Sequence, residues 1–133
     1  MKNVKTAKLA RWLFAASGIC GIAVLLPLYF VEAYIAKASG AFTQPEYFYG
    51  FIGTALTAQI MFFIISHDPL RFRPAMLFAV LEKLAFAIPV SMLFASGRVF
   101  GSVVVFGSID FAWAALFAAA WVITGRAERD VSL

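Results

Sequence analysis

Three ionisable side chains stand inside otherwise apolar sequence: Glu82 and Lys83, adjacent in AVLEKLAFAIPV, and Asp110 in FGSIDFAWAALF. Gln59, in TALTAQIMFF, is a further polar group in the same kind of setting. A carboxyl held in hydrocarbon can carry a proton or meet the polar head of a ligand, and a lysine beside it can act as counterion. An uncompensated charge there costs at least ~2.5 to 3.5 kcal/mol, so such groups turn toward one another or toward a wet interior. Neighbours on a helix point ~100° apart, so Glu82 and Lys83 are expected to find partners on other segments. At ~1.5 Å of rise per residue, Glu82 lies roughly 10 Å into its segment, and Gln59 lies at a similar depth in the preceding one. Asp110 falls within about one to two turns of that level, in reach of a lysine. The expected pairs are therefore Glu82 with Gln59 and Lys83 with Asp110.

Two states of Glu82 follow. If Asp110 takes the lysine, Glu82 keeps its proton and shares a hydrogen bond with Gln59, which can donate or accept. If Lys83 bends back to Glu82, the carboxyl is ionised and the group is an ion network. The layer is then either structural glue that fixes the register of an assembly, or a site that carries a proton or contacts a ligand. The sequence leaves both readings open.

Other chemistries find few residues. The single Cys20 excludes an intramolecular disulfide or dithiol pair, and the single His67 excludes a bis-histidine haem or a multi-histidine metal centre within one chain. No Gly-rich phosphate loop, Ser-His-Asp set or HExxH pattern is present. No metal and no cofactor is expected. Enzymatic use of lone carboxylates, as acid and base, ranks behind the non-enzymatic readings.

The elements that must position these residues are set by composition. Hydrophobic residues make up 63% of the chain and charged residues 14%, with a mean hydropathy of +0.90. Soluble domains are roughly half apolar and a quarter charged, so an integral membrane protein is expected. Apolar stretches at about 12–34, 47–66, 75–95 and 99–123 each approach the ~20 residues that cross ~30 Å of hydrocarbon. The predicted fold is all-α, a left-handed four-helix membrane bundle forming a single domain over residues 1–133. The first stretch is too long for a signal peptide, and ASGIC lacks the small residue that a lipoprotein site places before its cysteine, so an uncleaved helix is expected. Gly18, Gly21, Gly50, Gly53, Thr54, Thr57, Ala112, Ala114, Ala115 and Ala118 offer small surfaces for close helix approach. The 15 Phe are read mainly as lipid-facing filler, with Tyr29, Tyr34, Tyr47 and Tyr49 at one boundary and Trp12 and Trp121 at the other.

Basic residues orient the chain. Lys2, Lys5, Lys8 and Arg11, then Arg71 and Arg73, then Arg126 and Arg129 flank one side, against Lys37 and Arg98 on the other. Both termini are expected in the cytoplasm. His67, Arg71 and Arg73, in the loop SHDPLRFRPAM, are candidates to contact lipid headgroups, with Pro69 and Pro74 stopping one helix and starting the next. Thr43 and Glu46, in TQPE, are expected to form a capping box at the second span. Nucleic acid is not an expected partner, because the basic residues are divided among short flanks.

Four short helices, a basic N-terminus and few internal charges make the layout similar to the DoxX-like group of small bacterial membrane proteins, over most of the chain in hydropathy but with no diagnostic motif. That resemblance implies an accessory subunit of a membrane redox assembly, or a lipid- or quinone-contacting bundle in the inner membrane. Its implied partners are membrane lipids, a quinone or other hydrophobic ligand, a membrane protein or a second copy of the chain. The alternative is a small oligomeric proton-coupled transporter using Glu82. Small multidrug transporters resemble the chain less, because their essential glutamate lies in the first helix, where this sequence has only Glu32 at the edge.

Overall fold

A computed structural model describes residues 2–40 and 44–129. The described residues form α1 (Lys2–Leu25), a 3-10 turn (Leu26–Phe30), α2 (Glu32–Ser39), α3 (Pro45–His67), α4 (Ala75–Ala95) and α5 (Gly101–Arg129). Four of these are long and apolar enough to cross a membrane: Val4–Phe30, counting α1 with its turn, Pro45–His67, Ala75–Ala95 and Gly101–Arg126. The chain is an all-helical membrane protein of the bundle type.

Several helix ends differ from those the hydropathy predicts. The first span is not one helix to residue 34: Pro27 has no N–H to donate and its ring crowds the preceding turn, so α1 stops at Leu25 and the backbone tightens to a 3-10 turn before α2. At the basic end, α1 begins at Lys2, well before Trp12, and α5 runs on to Arg129. α3 begins at Pro45, with Gln44 at its N-cap and no side-chain cap bond. The expected capping residue, Thr43, lies outside the described residues. Glu46 sits in the first turn, where a negative charge suits the helix dipole.

The turns between long helices are locally determined. Asp68 accepts a hydrogen bond from the Arg71 amide through Oδ1 (3.2 Å), and α4 starts directly after Pro74. α4 ends in a Schellman motif: the Gly97 amide bonds Phe94 O (2.9 Å) and the Arg98 amide bonds Leu93 O (2.8 Å). Gly97 has φ 69°, the left-handed conformation that this cap needs and glycine accepts without strain.

α4 packs along α5, and α1 packs on both α3 and α5; the seam between the consecutive helices α3 and α4 is the thinnest of the contacts around the bundle. Close approach of α1 to α3 uses glycine as expected, with Gly18 against the Phe63 ring and Gly21 against the Gln59 side chain. Gly107, opposite Val90 and Ala87, serves the α4–α5 pair. By contrast, a methyl group at Gly50 would meet no other side chain or helix within 4 Å among the described residues.

The packing is uneven along the bundle. At the end bearing the termini, Phe14, Phe62 and Phe117 are fully buried with Ala10, Ile65, Met76 and Ala79 around them. Phe14 stacks on Phe117 with centroids 4.4 Å apart, and Phe62 meets Phe117 edge-on at 5.1 Å, the arrangements that ring quadrupoles favour. These three phenylalanines, one from each of three helices, form an aromatic plug and are exceptions to the reading of Phe as mainly lipid-facing, since most of the others are exposed or half-buried.

Candidate functional site

Beyond the aromatic plug, the long helices leave a partly open space between them. A cavity of about 280 Å³ lies among the four long helices, near the lower bound of the roughly 300–1,000 Å³ found for small-molecule sites. Its walls are largely apolar, with Val24 from α1, Leu28 from the 3-10 turn, Phe51 from α3, Phe86 from α4 and Phe106 from α5. Its polar groups are Glu82, Lys83 and Asp110, together with Ser17 and Cys20 from α1.

Helix geometry places the triad. On α4 the buried positions Met76, Ala79, Lys83, Ala87 and Val90 recur at intervals of three and four, so Lys83 lies in the middle of the core-facing stripe. On α5 Gly107, Ala114, Phe117, Ala120 and Thr124 are buried, and Asp110 continues that stripe. Lys83 and Asp110 thus face each other across the closest helix pair, with Nζ 3.3 Å from Oδ1. The expected Lys83–Asp110 pair is present.

Glu82 behaves differently from the expectation. Lys83 Nζ also lies 3.2 Å from Glu82 Oε2, because four methylenes let an ammonium swing back across the ~100° between adjacent helical positions. Lys83 is the hub of a triad, and adjacency did not keep the two charges apart. The contact is one of charge more than of alignment: Glu82 Oε2 is buried yet makes no aligned hydrogen bond among the described residues. On a further side Lys83 Nζ sits 5.4 Å from the Phe62 ring centroid, a cation–π distance, so the triad rests on the aromatic plug.

Gln59 does not pair with Glu82. It is fully buried against Gly21 of α1, and its Nε2 donates to Ala55 O in its own helix (2.8 Å), leaving Oε1 without a partner among the described residues. The stripe of α3 that carries Gln59, with Ile52, Phe62 and Ser66, packs mainly on α1, so similar depth did not mean a shared face. Ser17 is the polar residue that the triad reasoning passed over. It is 2% exposed, lines the cavity, and its Oγ has no hydrogen-bond partner among the described residues. Its position on the stripe Ala10, Phe14, Ser17, Gly21 was the available signal.

The headgroup candidates separate. His67 and Arg71 are exposed at the loop, with the Arg71 guanidinium 5.6 Å from the Phe72 ring centroid, while the His67 carbonyl accepts a bond from Arg11 Nη2 (3.0 Å). Arg73 is half-buried: Nε donates to Trp121 O (3.1 Å) and the guanidinium lies 4.6 Å over the Trp121 ring, in space that only a glycine at 125 leaves free. Arg73 therefore ties α5 to the loop before α4. At the opposite end, Tyr49 Oη donates to Glu32 Oε2 and Tyr49 stacks on Tyr29 at 5.8 Å, fastening α2 and the 3-10 turn to α3. Glu32, the edge glutamate, is a latch on that end.

No protein-family model, curated protein or solved structure matches the chain. The geometry itself defines the class: a helical membrane bundle with one packed half, one partly open half and a charged triad where they meet.

Proposed function

We propose that this chain is a small DoxX-like bundle of the bacterial inner membrane, with both termini in the cytoplasm, whose partly open half holds a lipophilic molecule such as a lipid or quinone. As an accessory subunit it would present that molecule to a membrane partner. The observation that carries the reading is the cavity, with apolar walls and the Glu82–Lys83–Asp110 triad at one end. Apolar walls contribute affinity through burial, at about 25 cal/mol per Å², and a small number of placed polar groups orient the occupant. The triad, buried on the plug side, is positioned to meet a polar head while the tail lies along Val24, Leu28 and Phe106.

Native mass spectrometry of protein released from lipid nanodiscs tests this. Wild type should retain a small molecule that Ala55→Phe, which places a ring in the cavity wall, releases while helicity is unchanged. Equal retention by both would place the bound molecule outside the cavity and defeat the reading.

A further inference from the structure

The chemistry of the triad narrows the class of ligand, on the reading that the cavity is a ligand site. We propose that it selects an amphiphile with a cationic, hydrogen-bond-donating head, of the class of lipophilic primary amines. Two carboxylates meet one ammonium, so the ionised triad carries one negative charge in excess. Acceptors exceed donors as well: each carboxylate offers about four lone-pair sites, against three N–H groups on lysine. Among the described residues, Glu82 Oε2 is buried and meets the Lys83 ammonium at 3.2 Å without an aligned hydrogen bond, and the cavity-lining Ser17 Oγ on α1 has no hydrogen-bond partner.

An anionic head has no equivalent welcome. Lys83, whose side chain is 8% exposed, is enclosed by Glu82 at 3.2 Å, Asp110 at 3.3 Å and the Phe62 ring. A carboxylate or phosphate in the cavity would have Glu82 and Asp110, whose side chains are 18% and 19% exposed, beside it together with the less exposed ammonium. A primary ammonium brings three donors and the missing positive charge, and charge-assisted hydrogen bonds of this kind are roughly twice as strong as neutral ones. Its alkyl tail matches the apolar walls.

The chain carries its own reporter. Cys20 is the one cysteine in the sequence, is exposed and lines this cavity. Protein in phosphatidylcholine nanodiscs is alkylated with N-ethylmaleimide, followed by intact mass, in the presence of dodecylamine, dodecanol or dodecanoate. Dodecylamine should slow labelling at concentrations roughly ten- to a hundredfold below dodecanol, the ratio expected from hydrogen bonds to charged groups, and dodecanoate should be weakest. Glu82→Gln, which leaves Lys83 balanced by Asp110 alone, should erase the preference for amine; Asp110→Asn is the parallel variant if the first does not fold. Protection by dodecanol or dodecanoate equal to that by the amine, or an amine preference intact in a folded variant, overturns the inference and leaves the cavity reading standing. Failure of all three compounds to protect Cys20 overturns the cavity reading, and the inference with it.

Discussion

At the scale of single residues, Lys83 governs the interior. It sits 7% exposed at the centre of the α4 stripe and holds an acid on each side. Removing a hub differs from removing a spoke. Lys83→Met strands two carboxylates in hydrocarbon, whereas Asp110→Asn leaves the lysine paired with Glu82. Breaking a buried ion pair from one side costs roughly 3 to 5 kcal/mol, and replacing the whole set by apolar groups can be nearly neutral. In sodium dodecyl sulfate titrations followed by circular dichroism, Lys83→Met should therefore be the least stable single variant. Asp110→Asn should lose less, and the triple variant Glu82→Leu, Lys83→Met, Asp110→Leu should recover most of the loss. If Asp110→Asn proves the worst, the aspartate and not the lysine is the centre. The members of this cluster were legible in the sequence because charges in apolar segments are rare. Their connections were less so, since depth along a helix can be counted from residue numbers but the reach of a flexible lysine cannot. Ser17 escaped because a serine is common on membrane helices and carries no charge to mark it.

Elements show the reverse balance. The existence of the four spans was legible from hydropathy, as was the use of Gly18 and Gly21 as close-contact positions. Which helix they approach was not, because pairing depends on how stripes face one another in space. α1 lies between α3 and α5, and the consecutive pair α3–α4 touches least. The aromatic plug was hidden for the same reason: Phe14, Phe62 and Phe117 look like any other phenylalanines until their stripes converge. The α1–α3 contact gives a direct test. A methyl at Gly21 would collide with the buried Gln59 side chain, whereas Gly50 has open space around it. Overpacking costs typically 1 to 3 kcal/mol, so Gly21→Ala should lose about that much, whereas Gly50→Ala, with open space inside α3, should be neutral or gain up to about 1 kcal/mol from the better helix propensity of alanine. Adding Gln59→Ala to Gly21→Ala should give back part of the loss, an interaction energy of opposite sign to the two single effects. Strict additivity in the same unfolding titration would mean that α1 and α3 do not meet through this pair.

For the whole molecule, the two halves carry different duties. The half beside the termini is packed by aromatics and bound at its edge through Arg73 to Trp121 and Arg11 to the His67 carbonyl. The other half holds the cavity and is fastened at its far end through Tyr49 to Glu32. Orientation then decides which leaflet the cavity serves. Lys and Arg collect at the packed end, in α1, in the 68–74 loop and after residue 125, with Lys37 and Arg98 at the partly open end. Because Lys and Arg are retained on the cytoplasmic side of the membrane, the packed half should face the cytoplasm and the partly open half the outer leaflet. A ligand would then be exchanged with the outer leaflet, its head drawn inward to the triad near mid-depth. Paired reporters that are active on opposite sides of the membrane check this: fusions after Gly40 and Gly97 should read as periplasmic, and fusions after Arg71 and Leu133 as cytoplasmic. The loop charges offer an internal control. Arg71 is exposed and, among the described residues, touches only its neighbour Phe72 through its guanidinium, so Arg71→Glu tests chiefly the charge bias, while Arg73→Glu also breaks the Trp121 contact. Arg71→Glu by itself should leave the readings in place, since the basic residues of α1 and of the C-terminal segment remain. A cytoplasmic signal after Gly40 in the unaltered chain would invert the map and assign the cavity to the inner leaflet.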